Sequence, residues 1–116
     1  MSGRGEEIRR PTGWVVRAAN AKAWRAWREL RAQVPGNCDR CWLDLTGDPR
    51  RVDDRQHPLS GALGTVKHDG RDLEQWQYEI TAGGRIWYVI DDTDKTIWLT
   101  KVAAGHPKES ERRNRW

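Results

Sequence analysis

The stretch that most restricts the fold is Ile86-Trp87-Tyr88-Val89-Ile90, five consecutive apolar residues rich in aromatic and β-branched side chains. A run of this kind between turn residues reads as a strand buried on both faces, which belongs in the middle of a sheet. Its flanks supply the neighbours. Upstream, Gln75 to Thr81 alternates, with Trp76, Tyr78 and Ile80 on one side, and Ala82-Gly83-Gly84 makes a turn. Downstream, Asp92-Thr93-Asp94-Lys95 turns the chain into a strand over Thr96 to Val102. Tight turns join antiparallel strands. The second half therefore predicts a three-strand meander with Arg85 to Asp91 at its centre.

The first half reads differently. Gly13 to Ala18 is short and β-branched, a first strand. Asn20 is a helix N-cap, and Ala21 to Val34 carries Trp24, Trp27, Leu30 and Val34 at steps of three and four, one apolar stripe. Pro35-Gly36 ends that helix, and Asn37 caps a second, shorter one. There Cys38, Cys41, Trp42 and Leu45 share a face before Gly47-Asp48-Pro49 ends it. Residues 48–58 are expected as loop, and His57 to Gly64 forms a small apolar segment with glycines. The order is β-α-α-β-β-β, a helical hairpin on a mostly antiparallel four-stranded sheet, an α+β layout.

With 116 residues the chain suits one domain. Residues 1–12 are expected as a disordered polar lead-in and 13–116 as the domain. No run approaches the roughly 18–20 apolar residues that span a bilayer. No apolar stretch follows the charged start, so no secretion signal is expected. The expected location is the cytoplasm, away from any membrane, with both cysteines reduced. Lys and Arg total 21 against 17 Asp and Glu, a net charge of +4 that permits an anionic partner. The eight Trp, with no Phe, take over the core-filling role of Phe. Cys38-x-x-Cys41 lacks two further ligands at matching spacing and falls on an apolar helix face, so it reads as core packing. No metal or cofactor is expected.

Three ordered features carry a family resemblance. Leu59, Gly61, Leu63 and Gly64 form a small Leu-Gly element. Tyr78-Glu79-Ile80-Thr81-Ala82-Gly83-Gly84-Arg85-Ile86-Trp87-Tyr88-Val89-Ile90-Asp91 gives a strand, a tight turn, an Arg opening the next strand and an aromatic-rich run ending in Ile-Asp. His106-Pro107-Lys108-Glu109 follows the last strand. In this order the chain resembles the RelE/ParE family of bacterial toxins over residues 13–113. The resemblance implies a toxin held inactive by a cognate antitoxin. RelE-like members cleave mRNA, usually on the ribosome, and ParE-like members poison DNA gyrase without cleavage. The leading expectation is a metal-independent mRNA endoribonuclease that inhibits translation. The alternatives are a gyrase-directed toxin or a non-toxic binding protein of the same fold.

Metal-free RNA cleavage needs a base for the 2′-OH, a cation on the phosphorane oxygens and an acid for the leaving oxygen. The resemblance gives Arg85 the middle role, for which its planar fork is suited. It offers His106 as acid or base and Lys108 as a further catalytic or phosphate-binding group. Glu79, across the turn from Arg85, is a candidate general base or else a salt-bridge partner of Arg85. Some family members carry lysines on this strand, where this chain has Trp76, Gln77 and Glu79. Arg112, Arg113 and Trp116 are expected RNA contacts, Trp116 by stacking, and Tyr88 is either a further stacking contact or a core residue.

Overall fold

The structure is a computed structural model that describes residues 3–8 and 10–105. Strand β1 (Val15–Ala18) leads into helices α1 (Ala21–Gln33) and α2 (Pro35–Gly47). Then follow strand β2 (Gln56–Pro58), a 3-10 turn (Gly61–Gly64) and strands β3 (Thr65–His68), β4 (Arg71–Thr81), β5 (Gly84–Asp91) and β6 (Thr96–Ala103). The sheet runs β1-β6-β5-β4-β2, with β3 also paired to β4. Among the described strands only β1 with β6 is parallel. The four expected strands are its body, with β5 at the centre, and β2 and β3 extend it along β4.

Local chemistry explains the elements. Asn20 caps α1 by accepting from the Ala23 amide at 2.8 Å, while its Nδ2 donates to the Thr100 carbonyl of β6. Pro35 opens α2 at its first turn, where a missing N–H costs nothing. Asn37 is therefore no cap: it lies inside α2 and its Nδ2 donates to Ile80 O at 2.9 Å, tying the helix to β4 where the β4–β5 register shifts. The α1 stripe is also rotated from the expected one. Ala23 and Leu30 are buried and Trp27 packs on the core, while Trp24 is exposed. On α2, Cys38, Cys41 and Leu45 are buried and Trp42 is exposed.

Both helices cover one face of the sheet, and the core lies between. Tyr78, Ile80, Ile86, Tyr88, Ile90, Ile97 and Leu99 point into it with Leu30, Cys38, Cys41 and Leu45. Cys38 and Cys41 are free thiols, and burial pushes both up, so they behave as small apolar groups. Tyr78 OH donates to Asp44 Oδ2 at 2.6 Å, which closes α2 onto β4.

Ion pairs fasten the sheet's far end. Arg50 Nη2 lies 2.7 Å from Glu74 Oε2 and from Asp92 Oδ2, and Arg71 Nη2 lies 2.7 Å from the buried Asp91. These guanidiniums hold Glu74, Asp92 and Asp91 below the usual carboxylate range. A carboxylate whose pKa is depressed by folding stabilises the fold fully above its unfolded pKa. That stability is lost as pH falls through the depressed value. Thermal unfolding followed from about pH 7 to pH 3 is expected to show a falling midpoint. Arg50→Gln should flatten that fall and cost about 1 kcal/mol at neutral pH, both pairs being partly exposed. An acid profile identical to wild type would show that Arg50 holds neither carboxylate.

Candidate functional site

The face of the sheet turned away from the helices carries the polar side chains of β4, β5 and β6. Because side chains alternate along a strand, the residues between the core positions of β4 and β5 (Gln75, Gln77, Glu79, Arg85, Trp87 and Val89) fall on this face. One half of it is covered. Gln75 Nε2 donates to Leu63 O of the 3-10 turn, His68 of β3 packs tilted against Trp98 at 4.7 Å between ring centroids, and Val89 is fully buried. Among the described residues, nothing covers the half beside the β4–β5 turn.

Arg85 and Glu79 stand there as direct cross-strand partners. Both are exposed, and neither side chain forms a hydrogen bond or ion pair among the described residues. The turn between them requires glycine twice. Gly83 has φ of +88°, and a Cβ on the buried Gly84 would lie 3.0 Å from Ala104 O. On its other side Arg85 pairs with Ala103 of β6. The described chain ends at Gly105, where a Cβ would sit 2.7 Å from Gly83, so the end of β6 packs against the turn beside Arg85. Arg55, next to β2, accepts from the Glu79 amide through its carbonyl at 2.8 Å.

Of the expected site residues, the structure brings Arg85 and Glu79 together. His106, Lys108, Arg112, Arg113 and Trp116 lie outside the described residues. Tyr88 is a correction. It is fully buried on the helix side, its OH donates to Pro49 O at 2.8 Å and accepts from Gln56 Nε2 at 3.1 Å, and burial pushes its phenol up. It has no face to offer a base.

Sequence reasoning passed over four neighbours. Trp87 Nε1 donates to Gln77 Oε1 at 2.9 Å, Gln77 Nε2 lies 3.4 Å from His57 Nε2, and Lys101 Nζ sits 4.5 Å above the Trp87 ring. Trp87 was findable, since it is two residues from Arg85 and shares its face. His57 and Lys101 reach the site through the pairing of β2 and β6, which local pattern does not show. Among the described residues no three His, Cys, Asp or Glu side chains come together as metal ligands, and no helix is long and apolar enough to cross a membrane.

No family model and no curated protein matches the chain. Solved structures do. A chain of the archaeal RelE–RelB complex from Pyrococcus horikoshii OT3 is 16% identical with a TM-score of 0.56, covering 80% of this chain and 96% of that one. The YoeB/ParE toxin from Agrobacterium tumefaciens is 13% identical with a TM-score of 0.58, covering 78% and 98%. The toxin–antitoxin complex RelBE2 from Mycobacterium tuberculosis gives 23% and 0.52, covering 80% and 99%. These identities carry the architecture: the chain has the fold of the RelE and YoeB/ParE toxins.

Proposed function

We propose that this chain is the toxin of a toxin–antitoxin pair and that it cleaves mRNA without a metal, inhibiting translation in the cytoplasm. The observation that supports this most is Arg85, a guanidinium facing Glu79 across the strands, neither of them paired among the described residues. A carboxylate and a fork-shaped cation side by side match the two needs of 2′-OH attack. Glu79 takes the 2′-OH proton, and O2′ attacks phosphorus. Arg85 holds the equatorial oxygens, and the bond to O5′ breaks. His106 gives that oxygen its proton, and Lys108 adds charge for the phosphate. The products are a 2′,3′-cyclic phosphate and a 5′-hydroxyl end. Arg112, Arg113 and Trp116 are proposed to hold the flanking RNA.

The proposed antitoxin has a surface to use. Ile8, Trp42 and Leu43 are exposed beside Trp14 in a groove along α2 and β1 that Glu7 and Arg10 also line, and among the described residues the outer edge of β1 has no strand partner. Such a surface suits an amphipathic helix or an added strand. Two of the similar structures are toxin–antitoxin complexes.

The test is induced expression in bacteria with mapping of cellular RNA 5′ ends. Growth arrest with new 5′-hydroxyl ends is expected. Arrest without new ends would replace the nuclease reading with a toxin that binds its target, as in gyrase poisoning. Neither arrest nor cleavage would leave a binding protein on this fold.

A further inference from the structure

We propose that Lys101 is a second phosphate-holding cation beside Arg85, and that the Trp87–Gln77–His57 chain of hydrogen bonds positions it for the backbone of single-stranded RNA. This rests on the RNA-cutting reading above and assigns to it four residues that the reading does not otherwise use.

Register fixes the placement. Arg85 pairs with Ala103, and Trp87 pairs with Lys101. Arg85 and Lys101 are thus diagonal neighbours across β5 and β6, about 7–8 Å apart at the backbone. That separation suits one phosphodiester group or two successive ones. Lys101 is exposed and has no carboxylate partner among the described residues, whereas Arg50, Arg51, Lys67 and Arg71 each pair with Asp or Glu. Its partner is an aromatic face, which attracts an ammonium without neutralising it. The charge stays available to an anion, and the long side chain is held over the sheet. Among the described residues of β4, β5 and β6 on the open half, Arg85 and Lys101 stand with one carboxylate, Glu79, so the balance on these strands favours an anion.

The ring under Lys101 is itself fixed. An indole N–H can only donate, so Gln77 turns its oxygen to Trp87 and its amide nitrogen to His57. His57 Nε2 then accepts that N–H, and Nδ1 carries the ring hydrogen and donates to Pro58 O at 3.0 Å. Each of the three polar side chains has one orientation that satisfies all the bonds, and the chain is anchored at a backbone carbonyl of β2. A solvated surface lysine needs no such support. An amide at position 77 makes this possible, since a lysine there could donate but could not accept from the indole.

The experiment uses the full chain and a 2′-O-methyl RNA oligonucleotide, which binds but has no 2′-OH to attack. Affinity is measured by fluorescence anisotropy over a salt series. Lys101→Ala is expected to lower the slope of log affinity against log salt by about 0.7, the share of one phosphate contact on a single strand. Lys101→Arg is expected to restore it. Trp87→Leu, which keeps an apolar side chain on the strand, is expected to weaken binding about two- to fivefold. Circular dichroism of each variant checks that it is folded. If wild type binds and Lys101→Ala keeps the full slope, Lys101 touches no phosphate and the inference falls while the RNA reading stands. Unchanged affinity in folded Trp87→Leu would remove the positioning role. If wild type binds and Lys101→Ala loses slope, yet unmodified RNA of the same sequence stays intact, the inference holds and the nuclease reading falls. If wild type does not bind RNA even at low salt, both fall together.

Discussion

Replacing Arg85 with Ala is expected to slow RNA cleavage by about 10²–10³-fold, the usual loss when one preorganised donor to a developing anion is removed. Stability should barely move. Arg85 is exposed, makes no side-chain bond among the described residues, and sits where the backbone is held by Glu79 on one side and Ala103 on the other. Exposed substitutions of this kind stay within about 0.5 kcal/mol. Single-turnover cleavage of an oligonucleotide, read beside thermal unfolding, separates the two effects. Arg85→Lys should fall between Ala and wild type, because an ammonium supplies charge without the bidentate fork. Full activity in a folded Arg85→Ala protein would take Arg85 out of the chemistry and with it the central argument for this site.

The meander was legible because its signals are local. Five apolar residues in a row mark β5, and Gly83 and Gly84 mark the turn that sets Glu79 opposite Arg85. The β3–β4 hairpin had a local signal as well. Asp69 (φ 50°) and Gly70 (φ 79°) are the left-handed pair of a two-residue hairpin turn. That signal places the start of β4 at Arg71 rather than at Gln75. Strand β2 had none. Gln56-His57-Pro58 is polar and holds a proline, and it is a strand because Gln56, His57 and Pro58 pair with Tyr78, Gln77 and Trp76. Helix faces were misjudged for a related reason. Trp24 and Trp42 fit an apolar stripe by spacing, but Ala23 and Cys41 are the side chains at closest packing, where a smaller group fits. The same division runs through the site. Arg85 and Glu79 follow from one turn and one register, whereas His57, Gln77, Trp87 and Lys101 meet only when β2, β4, β5 and β6 are assembled.

Tyr88 separates a core role from an RNA-contact role by the size of its effects. Tyr88→Ala is expected to cost about 3–5 kcal/mol, the usual loss for a large buried ring. Against a total of about 5–15 kcal/mol this leaves a marginal fold. Tyr88→Phe keeps the ring and removes only the hydroxyl between Gln56 and Pro49, a loss of about 1–2 kcal/mol. In a domain of this size each kcal/mol lowers the melting midpoint by about 4–8 °C. The Phe variant should nevertheless cleave RNA at the wild-type rate below its own midpoint, since the ring faces α2 and the core while Arg85 and Glu79 face the other way. Scanning both variants thermally and assaying Tyr88→Phe well below its transition gives two independent readings. A lowered midpoint with an unchanged rate places Tyr88 in the framework that holds β5 straight behind the site. A lowered rate with an unchanged midpoint would mean that the ring leaves the core to meet RNA, which a fully buried side chain bonded to a backbone carbonyl is built to prevent.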